Sequence, residues 1–134
     1  VDRRSGFLVA ALIPNRKAQS LNDAMCRTFS GFPASLKRSF TVDHGHEFFG
    51  YEEAEKRLET KIFFADLYRP WQRGLNENTN GLLRQYYPKK CDFLRVTTEQ
   101  FQAVVDSLNN RPRKRFGFRS PQECFPWNRV LHFT

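Results

Sequence analysis

Ser39-Phe40-Thr41-Val42-Asp43 and Lys61-Ile62-Phe63-Phe64-Ala65, with Tyr51–Glu59 between them, decide how this chain is read. The outer two are short runs dominated by aromatic, β-branched and other apolar residues, and they read as strands. The middle run is dense in Glu, Lys and Arg and reads as a helix with a charged outer face. Strand, helix and strand in that order form a parallel crossover unit. Upstream, Phe7–Ile13 is a further apolar run, closed by Pro14-Asn15 and read as a strand. Between them, Ala18 to Phe29 carries Leu21, Ala24, Met25 and Thr28 on a helical stripe, stopped by Gly31-Phe32-Pro33. Downstream, Gly74–Tyr87 reads as a helix stopped by Pro88. Thr98 caps another over Glu99–Asn109, with Phe101, Val104, Val105 and Leu108 at core spacing. A last helical turn covers Ser120–Phe125. The expectation is one α/β domain whose helices cover a small sheet.

The 134 residues suffice for one such domain, and 15% aromatic content excludes a disordered chain. The longest apolar run, seven residues, is far short of a membrane span, and no apolar signal core opens the chain. The absence of an initiator Met implies a start inside a longer reading frame. Net charge is +8 but uneven: residues 1–67 carry 10 basic and 9 acidic side chains, residues 68–134 carry 12 and 5. A basic half suits a polyanion such as nucleic acid, and general solubility would explain it as well. Cys26, Cys91 and Cys124 are odd in number and show no C-x-x-C, so they read as reduced thiols of a cytosolic protein.

Asp43 closes a strand and precedes His44-Gly45-His46-Glu47. Chemistry in parallel sheets gathers at carboxyl ends of strands, although an aspartate before glycine also serves an ordinary turn. Glu77 lies on the helix face that carries Arg73, Asn80 and Arg84, opposite Leu75, Leu82 and Tyr86. That face suits either a metal and phosphate site or plain solvent. A strand-end carboxylate and a helix carboxylate 34 positions on can together hold divalent ions for phosphoryl transfer. His44 and His46, one residue apart with no fitting cysteine pattern, do not make a zinc site. Trp71 and Trp127 read as packing residues, and His132 needs no role.

The run from Phe64 to Tyr86, centred on Pro70-Trp71-Gln72-Arg73-Gly74-Leu75-Asn76-Glu77-Asn78-Thr79-Asn80-Gly81, strongly resembles the DDE transposases of bacterial insertion sequences. The match is to the group called IS-thirty. Thr41-Val42-Asp43-His44-Gly45-His46-Glu47-Phe48 resembles the family's second-aspartate motif, with His44 where asparagine is usual. Leu108-Asn109-Asn110-Arg111-Pro112-Arg113 and Gly117-Phe118-Arg119-Ser120-Pro121-Gln122-Glu123 resemble its C-terminal segment, shared with retroviral-type integrases. The resemblance covers residues 1–125, an integrase-type catalytic core, and leaves 126–134 as a C-terminal tail.

It implies an α/β ribonuclease-H-like fold, a two-metal Mg²⁺ site (Mn²⁺ as substitute), and cutting and joining of DNA at insertion-sequence ends. Asp43 and Glu77 would be the second and third members of the acidic triad, as catalytic residues and metal ligands. Val1-Asp2-Arg3-Arg4-Ser5 matches a segment that follows the family's first catalytic aspartate. Asp2 is therefore not that aspartate; the opening strand would lie upstream of Val1, beyond it a helix-turn-helix region. Metals would then be weakly held, and the chain alone would not transpose DNA. The implied partners are insertion-sequence ends and target DNA, with a homo-oligomer in the intact protein and the bacterial cytoplasm as location. The cations Arg111, Arg113, Lys114, Arg115 and Arg119, joined by Arg73, Arg84, Lys89 and Lys90, would bind the DNA backbone. The competing readings are a non-catalytic remnant that keeps DNA-binding or subunit-pairing surface, and a nuclease acting on RNA–DNA hybrids.

Overall fold

The computed structural model describes residues 1–125, so Trp127, His132 and the rest of the 126–134 tail lie outside the described residues. The chain divides into two compact units: residues 13–73, and residues 1–12 together with those from 74 onward. In the first, helix α1 (Ala18–Phe29) precedes strand β1 (Ser39–Val42), helix α2 (Tyr51–Leu58) and strand β2 (Lys61–Phe64). β1 and β2 pair in parallel, with Ser39 opposite Lys61 and Val42 opposite Phe64. Alternation does the rest: Phe40, Val42, Ile62 and Phe64 fall on one sheet face. They meet Cys26 of α1 and Ala54 and Leu58 of α2.

α2 was expected to turn its charges outward, yet Glu55 is half-buried. Its Oε1 accepts the Ile62 N–H at 2.8 Å and so ties the helix to the strand that follows it. The connection is tight because Glu59 takes a left-handed backbone (φ 51°), which lets the Thr60 N–H reach back to the Glu55 carbonyl. Replacing Glu55 with alanine should cost about 1–2 kcal/mol, the range for a partly screened hydrogen bond to a charged acceptor. Urea denaturation checks it, and Glu55→Gln, which keeps the acceptor oxygen, should recover most of the loss.

The second unit holds α3 (Gly74–Tyr86), α4 (Thr98–Asn110) and α5 (Pro121–Cys124). Leu8, Phe101, Val105 and Leu108 form its core, with Leu82, Leu83 and Tyr87 packed against them. Phe7 stacks on Phe125, ring centres 4.4 Å apart. Both later helices start on a reciprocal cap. Ser120 and Glu123 cap α5, and Thr97 and Gln100 cap α4. The α4 cap is therefore Thr97 rather than Thr98, because only Thr97 has a glutamine three residues on to return the bond.

Two expectations about elements need correction. Residues 7–13 form no strand, and the sheet among the described residues has two members, not three. A strand needs a neighbour for its N–H and C=O groups; here a side chain takes that place. Asn109 Oδ1 accepts the Leu8 N–H at 2.8 Å and its Nδ2 donates to the Leu8 carbonyl at 2.9 Å. On α3, Tyr86 does not share the inner face with Leu82. Its ring is partly exposed and its hydroxyl lies 2.9 Å from Arg111 Nη2, while the buried position is Thr79.

Candidate functional site

Asp43 and Glu77 belong to different units, and each has its own surroundings. Asp43 stands directly after β1, at the carboxyl end of the strand, as expected. Its Oδ2 accepts from Arg73 Nη1 at 2.8 Å, with the aspartate 43% and the arginine 31% exposed. Water screens such a pair, so its net stabilisation is about 1 kcal/mol or less. Its chemical weight is larger: a guanidinium sits on the oxygen that a metal ion would use. Arg73 Nε is buried without a hydrogen-bond partner, so this arginine is held by Asp43 and not by a network of its own. His44 stacks its imidazole on Phe64, centres 5.3 Å apart and 25° between planes. The Glu47 carboxylate folds over Gly45 into the space that a β-carbon would fill.

The loop between β2 and α3 is cross-braced. Asp66 N–H donates to Gln72 Oε1 (2.8 Å), Gln72 Nε2 donates back to Asp66 Oδ2 (3.1 Å), and Arg69 pairs with the same carboxylate at 3.2 Å. Leu67, Tyr68 and Trp71 project from this frame, 70%, 96% and 71% exposed. Trp71 is therefore not a packing residue: its side chain stays 71% exposed while Gln72 and Arg73 make the loop's polar contacts.

Glu77 is exposed on the first turn of α3, where the free N–H groups of the helix favour a negative charge. Among the described residues, no group of three or more His, Cys, Asp or Glu side chains could hold a metal ion. The donor chemistry of Asp43 and Glu77, exposed carboxylate oxygens, does suit a hard divalent cation. Each is a single candidate ligand within its own unit.

The nine basic residues singled out in the sequence sort into two kinds. Arg73 is on Asp43. Arg84 reaches the Tyr87 and Pro88 carbonyls at the end of α3, and Arg113 reaches the Leu108 carbonyl near the end of α4. Cations there meet the negative end of a helix. Burial, and then the charges of Arg111 and Arg115, hold the Arg113 guanidinium below its ordinary pKa. Arg111 holds the Tyr86 hydroxyl; Ser107 first, and then Arg111, lower the pKa of that phenol. Lys89, Lys90, Lys114, Arg115 and Arg119 are exposed, as Arg84 is, and of these five Arg119 donates its Nε to the Phe116 carbonyl at 3.4 Å. Asp2 closes a turn, its Oδ2 accepting from the Ser5 N–H and hydroxyl at 2.7 and 2.5 Å.

No family model matches the chain. Transposase InsI for insertion sequence element IS30A of Escherichia coli (strain K12) is 40% identical over 123 residues, 92% of this chain and 32% of that transposase. The transposase for insertion sequence element IS4351 of Bacteroides fragilis is 50% identical over 91 residues, 68% of this chain and 28% of its own length. The chain thus spans about a third of the length of these relatives. The catalytic core domain of BIV integrase is similar in structure, with a TM-score of 0.73 over 100% of this chain and 87% of that one. At 19% identity that likeness shows the fold, a mixed α/β integrase core of the ribonuclease-H-like kind. No described helix is long and apolar enough to cross a membrane. With the second-aspartate motif, the Glu77 helix and the C-terminal segment all inside the matched stretch, the chain belongs to the IS30 (IS-thirty) family of insertion-sequence transposases.

Proposed function

We propose that this segment works in DNA transposition, as part of the catalytic core that cuts and joins DNA strands at insertion-sequence ends. The observation that carries this reading is the 40% identity to the IS30A transposase over 92% of the chain. Asp43 and Glu77 act as catalytic carboxylates and metal ligands, and the triad's first aspartate is supplied from outside residues 1–134. Mg²⁺, or Mn²⁺ in its place, would activate the attacking oxygen and neutralise charge at the phosphate when bound. Arg73 neutralises Asp43 and would have to release its Oδ2 for Asp43 to hold an ion. The exposed cations hold the DNA backbone. The protein acts as a homo-oligomer in the bacterial cytoplasm, and the 134 residues alone do not transpose DNA.

Mn²⁺ binding to the 134-residue chain, followed by loss of the free-ion paramagnetic resonance signal, tests the site without needing activity. Substituting even outer partners of metal ligands weakens binding by about 10- to 100-fold, so Asp43→Asn and Glu77→Gln should each weaken it by at least about tenfold. Unchanged Mn²⁺ affinity in both variants would remove these residues from the site. Salt-sensitive DNA binding with no Mn²⁺-dependent nicking, and no nicking restored by adding an intact family member mutated at Glu77's equivalent, would favour a binding role without catalysis.

A further inference from the structure

Residues 113–119 close on themselves into a small knuckle. The Arg113 N–H donates to the Arg119 carbonyl at 3.0 Å, and the Arg113 carbonyl accepts from both the Phe116 and Phe118 N–H groups at 3.0 Å. Gly117 and Phe118 both take left-handed backbones, φ 61° and 63°. Glycine adopts that conformation freely, whereas for a bulky phenylalanine it is strained. The two aromatic side chains are treated oppositely. Phe116 is half-buried beneath the Arg115 guanidinium, 4.3 Å from its ring centre, while Phe118 is 70% exposed. A strained residue thus holds an apolar ring in water, on a loop whose backbone is otherwise well bonded. Strain of this kind concentrates where a side chain must be presented.

What surrounds the ring decides what it meets. Lys114, Arg115 and Arg119 lie within four residues of Phe118, all exposed, and among the described residues none pairs with a carboxylate. Arg115 also lies close over Gly6, its Nη2 2.8 Å from where a β-carbon there would stand. An apolar protein patch would gain nothing from three unneutralised cations at its rim. A polyanion that carries flat aromatic faces matches both halves of the knuckle.

We propose that Phe118 is a base-contacting residue: it stacks on an unpaired nucleobase while Lys114, Arg115 and Arg119 hold the phosphates beside it. This rests on the reading above that the chain binds DNA, and adds to it a preference for unpaired ends. Stacking and charge leave different signatures. A stacked base contributes without displacing counterions, whereas each phosphate contact steepens the salt dependence.

The test uses the 134-residue chain and two DNA probes, a blunt duplex and the same duplex with a short single-stranded overhang carrying 2-aminopurine. Phe118→Ala should weaken binding to the overhang probe by on the order of 5- to 100-fold, leave its salt slope unchanged, and remove the 2-aminopurine fluorescence change. Blunt-duplex binding should hardly move. Phe118→Gly guards against misfolding, since glycine takes φ 63° without strain; it should melt no lower than the parent and bind the overhang as poorly as Phe118→Ala. Phe118→Trp should restore binding, and Phe118→Leu, apolar but unable to stack, should not. Lys114→Ala should weaken both probes alike and flatten the slope. Overhang binding by Phe118→Gly equal to the parent's would overturn the proposal and leave DNA binding standing. A parent chain that binds neither probe would sink the DNA-binding reading and this one with it. A parent dimer that Phe118→Gly converts to monomer, with overhang binding intact, would assign the ring to a second copy instead.

Discussion

Asn109→Ala should lower the stability of the chain by about 3 kcal/mol, the largest loss expected from any polar substitution in it. Asn109 is 3% exposed and Leu8 6% exposed, and the asparagine amide makes both hydrogen bonds of the Leu8 peptide groups, at 2.8 and 2.9 Å. Alanine would leave a buried N–H and a buried C=O unpaired, each worth about 1–3 kcal/mol. Asn109→Asp is no remedy, because a carboxylate can accept from the Leu8 N–H but must face the Leu8 carbonyl with a second acceptor. Asn109→Leu fills the volume and still leaves both groups orphaned. Urea midpoints measure the effect: all three variants should fall together. A midpoint unmoved in Asn109→Ala would mean water takes over both bonds and residues 7–12 are not anchored by this contact.

That contact also shows where the sequence stops being legible. The pattern at Phe7–Ile13 is a strand's pattern, and the residues are indeed buried at Phe7 and Leu8. What a local reading cannot supply is the partner, and here the partner is a side chain 101 positions away. The β1–α2–β2 unit was readable because its period switches are sharp and its connections short, and all five helices fell within two residues of their expected ends. The α4 cap was misplaced by one residue, at Thr98, although Thr97-x-x-Gln100 has the capping-box spacing and Thr98 has Phe101 at the matching position.

At the site, the strand end at Asp43 follows from pattern, and the weight on Glu77 came from the resemblance. The Arg73–Asp43 pair bridges 30 positions and left no local trace. Trp71 misled for a related reason. Apolar character argues for burial only where a core is available, and here the Asp66–Gln72 hydrogen bonds brace the loop while the Trp71 ring stays exposed. Phe118 carried a faint signal, an aromatic residue after glycine inside a basic run. Its meaning depends on the backbone angle, which composition does not encode.

Charge is where counting residues and seeing them differ most, and the difference is measurable. If all nine basic residues met phosphates, the logarithm of the DNA association constant would fall against log salt with a slope of about −8. The structure ties four of them to other elements or helix ends: a carboxylate for Arg73, carbonyls for Arg84 and Arg113, and a phenol for Arg111. Arg119 is bonded as well, but through Nε alone to the Phe116 carbonyl three residues back in its own loop, and its side chain is exposed to a phosphate. The five that remain, Lys89, Lys90, Lys114, Arg115 and Arg119, set an expected slope of about −4.5 for duplex DNA, so that raising salt from about 50 to about 200 mM weakens binding roughly 500-fold. Single substitutions sharpen the point. Lys114→Ala and Arg119→Ala should each flatten the slope by about 0.9 and leave stability within about 0.5 kcal/mol. Arg84→Ala and Arg113→Ala should do the reverse: a lower urea midpoint, by about 1 kcal/mol for each lost helix-end contact, and an unchanged slope. A slope near −8 in the parent, flattened as much by Arg113→Ala as by Lys114→Ala, would show that DNA draws these arginines off their carbonyls. The end of α4 would then have to loosen on binding, because the Arg113 guanidinium, in leaving the part-buried Leu108 carbonyl for a phosphate, leaves that carbonyl to water.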